Sequence, residues 1–298
     1  MTVFRSGFVA IIGRPNVGKS TLLNSIIGEK IAIATHKPQT TRNKITGIKN
    51  VKDGQFVFID TPGIHKGKSS LNQYMAATAI SALSDSDLIL FLIEAQRDLN
   101  RNDLFIVDTL ENINTPVILI INKIDLIEKE MLLPLIDRLK DLRQFREIIP
   151  ISAVKGFNVN RLLDLIWEIL PEGPPYFPED MMTDVTERFL AQEMIREKIT
   201  LLSHQEIPYA TAVTVDTFHE DESKNLIKIQ ATVSVAKNSQ KGILIGKRGA
   251  MLKRIGTQAR RDMERFFGTR IFLELFVKVS KNWTEDSRML SELGYKIK

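Results

Sequence analysis

At 298 residues, with 43% hydrophobic and 26% charged residues, the chain exceeds one ordinary core and reads as two globular domains. It contains no cysteine, which excludes disulfides and thiolate metal sites and fits a reducing cytoplasm. The formal net charge is +5, but residues 1–180 carry 21 basic and 21 acidic side chains, so the excess lies after them.

The first ~170 residues alternate apolar runs with amphipathic stretches. Phe8–Ile12, Phe56–Ile59, Leu88–Ile93, Val117–Ile121 and Ile148–Ile151 are unbroken apolar runs, as expected of strands buried on both faces of a mainly parallel sheet. Helical patterns at Ser20–Ile27, Leu71–Leu83, Leu104–Glu111 and Asn158–Leu170 lie between them. Strand and helix in alternation predict a doubly wound α/β domain over 1–172. No run reaches the ~18 apolar residues of a membrane span. The expectation is therefore a cytoplasmic protein, with peripheral attachment at the inner face of the cell membrane left open.

Pro171–Pro178 has four prolines in eight residues, which forbids a regular element, so a linker is expected over 173–182. Beyond it, Thr183–Leu202 reads as helix, Tyr209–Thr217 and Leu226–Val235 as strands, Gly249–Phe267 as helix and Ile271–Val279 as strand. That order predicts a small α+β domain over 183–298. The tail after Trp283 offers Trp283, Leu290 and Leu293 for packing on its core.

Strand Phe8–Ile12 runs into Gly13-Arg14-Pro15-Asn16-Val17-Gly18-Lys19-Ser20-Thr21 and then helix, the Walker A pattern in its required context. A polyphosphate needs many donors, and a glycine-rich turn at a helix N-terminus supplies backbone N–H groups. Lys19 adds a point charge for the β/γ-phosphates and Ser20 a magnesium (Mg2+) ligand. Asp60-Thr61-Pro62-Gly63 closes the strand Phe56–Ile59; Asp60 can hold magnesium, and Gly63 lets its N–H approach the γ-phosphate. Asn122-Lys123-Ile124-Asp125 follows Val117–Ile121. A carboxylate at Asp125 accepts from the two adjacent donors on guanine's edge and repels adenine. Asn122 can tie neighbouring loops together, and the Lys123 stem can cover the purine face. Ser152 and Ala153 are expected to complete the base pocket through backbone N–H groups.

These motifs, with Pro38-Gln39-Thr40-Thr41-Arg42, resemble the bacterial Era GTPases over essentially the whole chain. The resemblance implies a slow GTP hydrolase cycling between GTP and GDP. His36–Thr46 reads from sequence only as a surface loop, and the resemblance makes it switch I. Thr41 would be the residue that closes on magnesium, with Thr40 as alternative; the second switch would run from Asp60 towards Lys68. Where Ras-like relatives carry a water-orienting glutamine stands Ile64, which cannot hydrogen-bond. Related proteins use an asparagine at the place of Asn16 to hold potassium (K+), so catalysis is assigned to Lys19, Asn16 and Thr41.

In the second domain, residues 237–270 carry ten basic and two acidic side chains, which points to a polyanionic partner. Gly246-Lys247-Arg248-Gly249, followed by a helix with Lys253 and Arg254, resembles the loop of a type II KH domain, which clamps single-stranded RNA. The Era resemblance then implies a monomer that binds the 3′ end of small-subunit ribosomal RNA and assists 30S assembly. A constitutive RNA-binding assembly protein with structural GTP is the competing reading.

Overall fold

The computed structural model describes residues 3–64, 69–96 and 99–295. It divides into two compact units, one of residues 1–67 with 75–184 and one of residues 68–74 with 185–298.

The first unit is a six-stranded sheet: β1 (Arg5–Ile12), β2 (Ile45–Val51), β3 (Gly54–Asp60), β4 (Leu88–Glu94), β5 (Val117–Asn122) and β6 (Glu147–Pro150). Its order is β2-β3-β1-β4-β5-β6, all parallel except the antiparallel edge pair β2/β3. Helices α1 (Lys19–Ile27), α2 (Ser70–Ser84), α3 (Arg101–Leu110), α4 (Leu132–Leu139) and α5 (Val159–Ile169) accompany it. The central strands are buried on both faces, which is why their sequences do not alternate. One apolar cluster joins Ile12, Phe91, Ile93, Leu119 and Ile121 of the sheet to Ile106 and Leu110 of α3. Each such side chain, fully buried, contributes about 1.5–3 kcal/mol of transfer free energy.

Helix α3 starts one turn before the apolar pattern. Asn100 accepts from the Asn102 and Asp103 N–H groups, and Asp103 accepts from the Asn100 N–H in return, a closed capping box. The proline-rich stretch is bound to the sheet, since Gln55 Oε1 accepts from the Tyr176 and Phe177 N–H groups at 2.7 and 2.9 Å.

Two expectations are corrected. Strand β2 takes Ile45 and Thr46 out of the supposed surface loop, and Thr40, Thr41 and Arg42 are buried. Helix α6 (Glu187–Leu202) begins four residues later than expected, because Thr186 caps it by accepting from the Phe189 N–H at 3.2 Å.

The second unit runs α6, β7 (Thr211–Asp221), β8 (Leu226–Val235), α7 (Asn238–Ile245), α8 (Ala250–Phe267), β9 (Arg270–Val279) and α9 (Ser287–Glu292). Strands β7 and β8 are antiparallel, β8 and β9 parallel, and β9 is an edge. Ile227, Ile229, Ala231 and Val233 of β8 pack under Ile195 and Ile199 of α6 and Ile255, Ala259 and Met263 of α8. Helix α7 was not expected, no element being predicted between Val235 and Gly249. Trp283 is fully buried and donates its indole N–H to the Ala210 carbonyl at 2.9 Å, with Leu290 and Leu293 buried nearby in sequence.

Candidate functional site

The loop Gly13–Gly18 links β1 to α1, and its carbonyls already grip a cation. Lys19 Nζ donates to the Gly13 and Arg14 carbonyls at 3.1 and 3.0 Å. Burial lowers its pKa to about 8, against the opposing pull of Asp60. Val17 is fully buried, and Ser20 and Thr21 follow Lys19 in the first turn of α1.

Three side chains from separate segments converge beside Lys19. Ser20 Oγ donates to Asp60 Oδ2 at 2.6 Å and lies 2.8 Å from Thr41 Oγ1, which sits 3.4 Å from Asp60 Oδ2. Thr40 turns elsewhere, donating to the Lys37 carbonyl at 2.6 Å and bonding Thr35. The structure thus separates two threonines that sequence left equivalent. Asp60 is fully buried and its pKa is pushed up to about 6, burial outweighing Lys19 and the hydroxyl donors. Its Oδ1 has no hydrogen-bond partner. An orphaned carboxylate oxygen beside two hydroxyls is a donor set for a hard cation. No cluster of three or more His, Cys, Asp or Glu fit for a metal exists among the described residues. One carboxylate and two hydroxyls are an all-oxygen set that fits magnesium, which takes one or two carboxylates and completes its shell with phosphates and water.

Gly63 closes against the loop: a Cβ there would lie 2.6 Å from the Pro15 nitrogen. The next residue, Ile64, is fully buried in the apolar cluster, and its N–H donates to the Gly13 carbonyl at 3.1 Å. Its side chain is a core residue, unavailable to orient water. The expected second switch continues into 65–68, outside the described residues. Asn16 has φ 68° and donates its side-chain amide to the His36 carbonyl at 2.6 Å. The left-handed backbone gives asparagine a local reason to be there as well.

The base-recognition loops are cross-tied. Asn122 Nδ2 donates to the Val17 carbonyl at 2.7 Å, while its Oδ1 accepts from the Ala153 N–H at 3.0 Å. Asn122 thereby fixes the phosphate loop and the 152–153 loop to one strand end. In the structure the Ser152 N–H donates to the Phe157 carbonyl and the Ala153 N–H to Asn122 Oδ1. What Ser152 supplies is its hydroxyl, which donates to Asp125 Oδ1 at 2.6 Å and orients an exposed carboxylate.

Glu94, at the end of β4, was not foreseen. It pairs with Arg14 at 2.8 Å and Lys123 at 3.1 Å, and Arg14 also lies 3.3 Å from Asp103. Burial acts to raise the Glu94 pKa, but Lys123 and Arg14 outweigh it and hold the group below the usual range. Lys123 is thus anchored from below, with φ 65°.

In the second unit, α7 and α8 meet at Gly246–Gly249. Gly246, Arg248 and Gly249 have φ of 71°, 52° and 77°, a run of left-handed residues that glycine tolerates. The exposed Lys247 and Arg248 project from this turn and form no ion pair among the described residues. Beside it a groove between α8 and edge strand β9 is lined by Leu252, Lys253, Gly256, Thr257, Leu273 and Leu275. A short cationic turn, an apolar floor and the free edge of β9 suit unstacked bases on a phosphate backbone. Arg254, expected here, lies outside that lining.

Comparison with known proteins matches the geometry. A family model described as a 50S ribosome-binding GTPase matches residues 8–123, and a KH-domain model matches 206–284. A protein called GTPase Era from Syntrophus aciditrophicus is 61% identical, covering 98% of this chain and 96% of its own length. Its counterpart from Geobacter metallireducens is 57% identical, with 98% of each chain covered. Two crystal structures superpose with a TM-score of 0.96 at 40% identity, over 99% of this chain and all of theirs. One is Aquifex aeolicus Era carrying a substitution, bound to GDP and AlF4−; the other is Era with MgGDPNP and nucleotides 1506–1542 of 16S ribosomal RNA. Identity above one half, sustained through both units, settles the relationship: this chain belongs to the Era GTPase family.

Proposed function

We propose that this chain is a GTP-hydrolysing switch that binds the 3′ end of small-subunit ribosomal RNA and assists assembly of the 30S subunit. The observation that carries the reading is one chain holding both a guanine-selective phosphate site and a cationic Gly-x-x-Gly turn, along the full length of a relative crystallised with that RNA. Its work is cytoplasmic and monomeric; among the described residues no helix is long and apolar enough to cross a membrane.

Lys19 exchanges its two carbonyl partners for the β/γ-phosphates, a swap that keeps a buried ammonium satisfied throughout. The loop N–H groups and the start of α1 hold the same oxygens. Ser20, Thr41 and Asp60 would hold magnesium, which would supply positive charge against that of the phosphates. Thr41 joins switch I to that centre, so losing the γ-phosphate frees the segment. Asp125, oriented by Ser152, reads guanine, and Lys123, anchored on Glu94, lies along the purine. With Ile64 in the core, charge stabilisation rather than side-chain water activation carries the rate. Potassium held at Asn16 would supplement it, since among the described residues only the Asn16 amide nitrogen is engaged, by the His36 carbonyl. Turnover several-fold faster in potassium than in sodium buffer is expected; equal rates remove that role.

Lys247→Asp with Arg248→Asp should cut RNA affinity at least about 100-fold, each phosphate contact being charge-assisted, with GTP affinity unchanged. Filter binding on the 1506–1542 fragment reads it, and undiminished binding would refute the clamp. RNA affinity compared between GDP and a GTP analogue separates a switch from a protein with structural GTP: a difference is expected, and its absence favours the second.

A further inference from the structure

Three strand ends meet at the nucleotide site, and the middle one carries a residue that touches both neighbours. In the sheet, β4 lies between β1, which runs into the phosphate loop, and β5, which ends in the base motif. Ile12 is level with Phe91, and Glu94 with Asn122. Glu94, the last residue of β4, is thereby placed to reach Arg14 on one side and Lys123 on the other. Ligands of doubly wound sheets gather at this C-terminal edge.

Glu94 divides its carboxylate between the two. Its Oε2 accepts from Arg14 Nη2 at 2.8 Å, and its Oε1 lies 3.1 Å from Lys123 Nζ. Arg14 is braced from behind, its Nε 3.3 Å from Asp103 Oδ2, and Asp103 is fully buried in the capping box of α3. Exposed ion pairs contribute little, whereas taking one partner out of a buried set strands a charge. This set is mostly sheltered, with the Arg14 and Lys123 side chains 13% and 28% exposed. The Arg14 guanidinium is committed to carboxylates, while its carbonyl is one of the two that hold Lys19, at 3.0 Å. Asn122 already ties the base motif to the far end of the phosphate loop, at Val17. Glu94 adds a tie at the near end.

We propose that Glu94 is a positioning residue for both halves of the nucleotide, fixing Arg14 at the start of the phosphate loop and Lys123 along the purine, so that phosphate and base recognition are coupled through one carboxylate. The proposal rests on the nucleotide-binding reading above. The coupling follows from sharing, because each cation holds the carboxylate in the orientation that receives the other. A neutral amide cannot do the same: its oxygen can accept from one cation, but its NH2 group then faces the other. Aspartate keeps both acceptor oxygens on a shorter stem.

The experiment follows release of methylanthraniloyl-labelled GDP from the full chain, together with steady-state GTP turnover. Glu94→Gln should release GDP at least ~10-fold faster, the factor expected when a charge-assisted hydrogen bond is lost. The loss in turnover should fall on KM rather than kcat, the mark of weakened uniform binding. Glu94→Asp should recover part of it. Arg14→Met and Lys123→Met then form a cycle. With Glu94 present, their joint acceleration of release should be at least ~3-fold smaller than the product of the single ones, and in the Glu94→Gln background the factors should multiply. Release from Glu94→Gln within about twofold of wild type, the scatter of uncoupled sites, would overturn the proposal. So would lowered thermal stability with release unchanged, or a defect in Glu94→Asp equal to that in Glu94→Gln. Factors that multiply with Glu94 in place would overturn it too, and this arm decides the matter even if Glu94→Gln fails to fold. Wild-type protein that retains no labelled GDP would reject the nucleotide-binding reading itself, a result distinct from all of these.

Discussion

Asp125→Asn is expected to weaken GTP binding by about 10²–10³-fold, because a charge-assisted pair of hydrogen bonds to guanine becomes one acceptor facing two donors. The asparagine also brings an amide N–H. Xanthine has a carbonyl where guanine has its exocyclic amine, so that donor meets an acceptor. Xanthosine triphosphate should therefore become the better ligand. The fold should survive, since Ser152 Oγ, which donates to Asp125 Oδ1 at 2.6 Å, can donate equally to an asparagine Oδ1. Calorimetric titration of the four protein–nucleotide pairs measures the switch. A GTP affinity within threefold of wild type would mean that Asp125 does not read the base.

Lys19→Ala should lower triphosphate affinity by at least ~10²-fold and turnover by more, since the phosphates lose a buried cation in a water-poor site. The same lysine gives a pH dependence of definite sign. In the nucleotide-free protein burial lowers its pKa to about 8, whereas beside phosphates the ammonium is favoured. Binding then requires proton uptake above pH 8, so wild-type affinity should fall as pH rises beyond it. Stability of the nucleotide-free protein moves the other way. Between about pH 8 and the unfolded value of 10.5 the unfolded chain binds more protons, so this group's contribution rises with pH. Titrations from pH 7 to 9.5, paired with thermal melts, separate the two trends. Affinity flat across that range would contradict the placement of Lys19 on the phosphates.

Strands β1, β3, β4 and β5 were legible as unbroken apolar runs because they lie inside the sheet, and the edge strand β6 because Ile148–Ile151 is apolar although Glu147 is exposed. Strand β2 was not, for it is the antiparallel edge strand and its Gly47, Lys49 and Asn50 blur the apolar pattern. Helix α7 hid behind Gly242-Ile243-Leu244-Ile245, where β-branched residues mimic a strand and tertiary packing overrides propensity. At the nucleotide site the motifs located the residues, but not which group of each is committed. Thr41 and Thr40 differ only in where the backbone turns them. Glu94 joins Arg14 and Lys123 from 80 and 29 positions away in sequence, a distance no spacing rule spans. Ser152 acts through its hydroxyl because its N–H is already bonded to Phe157. Loops that follow the C-terminal ends of β1, β4, β5 and β6 make such pairings, and only the fold reveals them.

The most direct test is competition between GTP and ATP for the purified protein, with magnesium present. An oriented carboxylate at Asp125 predicts ATP weaker by at least ~10³-fold, because adenine offers it no paired donors and leaves it facing a ring nitrogen. Comparable affinities for the two nucleotides would contradict guanine reading by Asp125, and with it the account of the site.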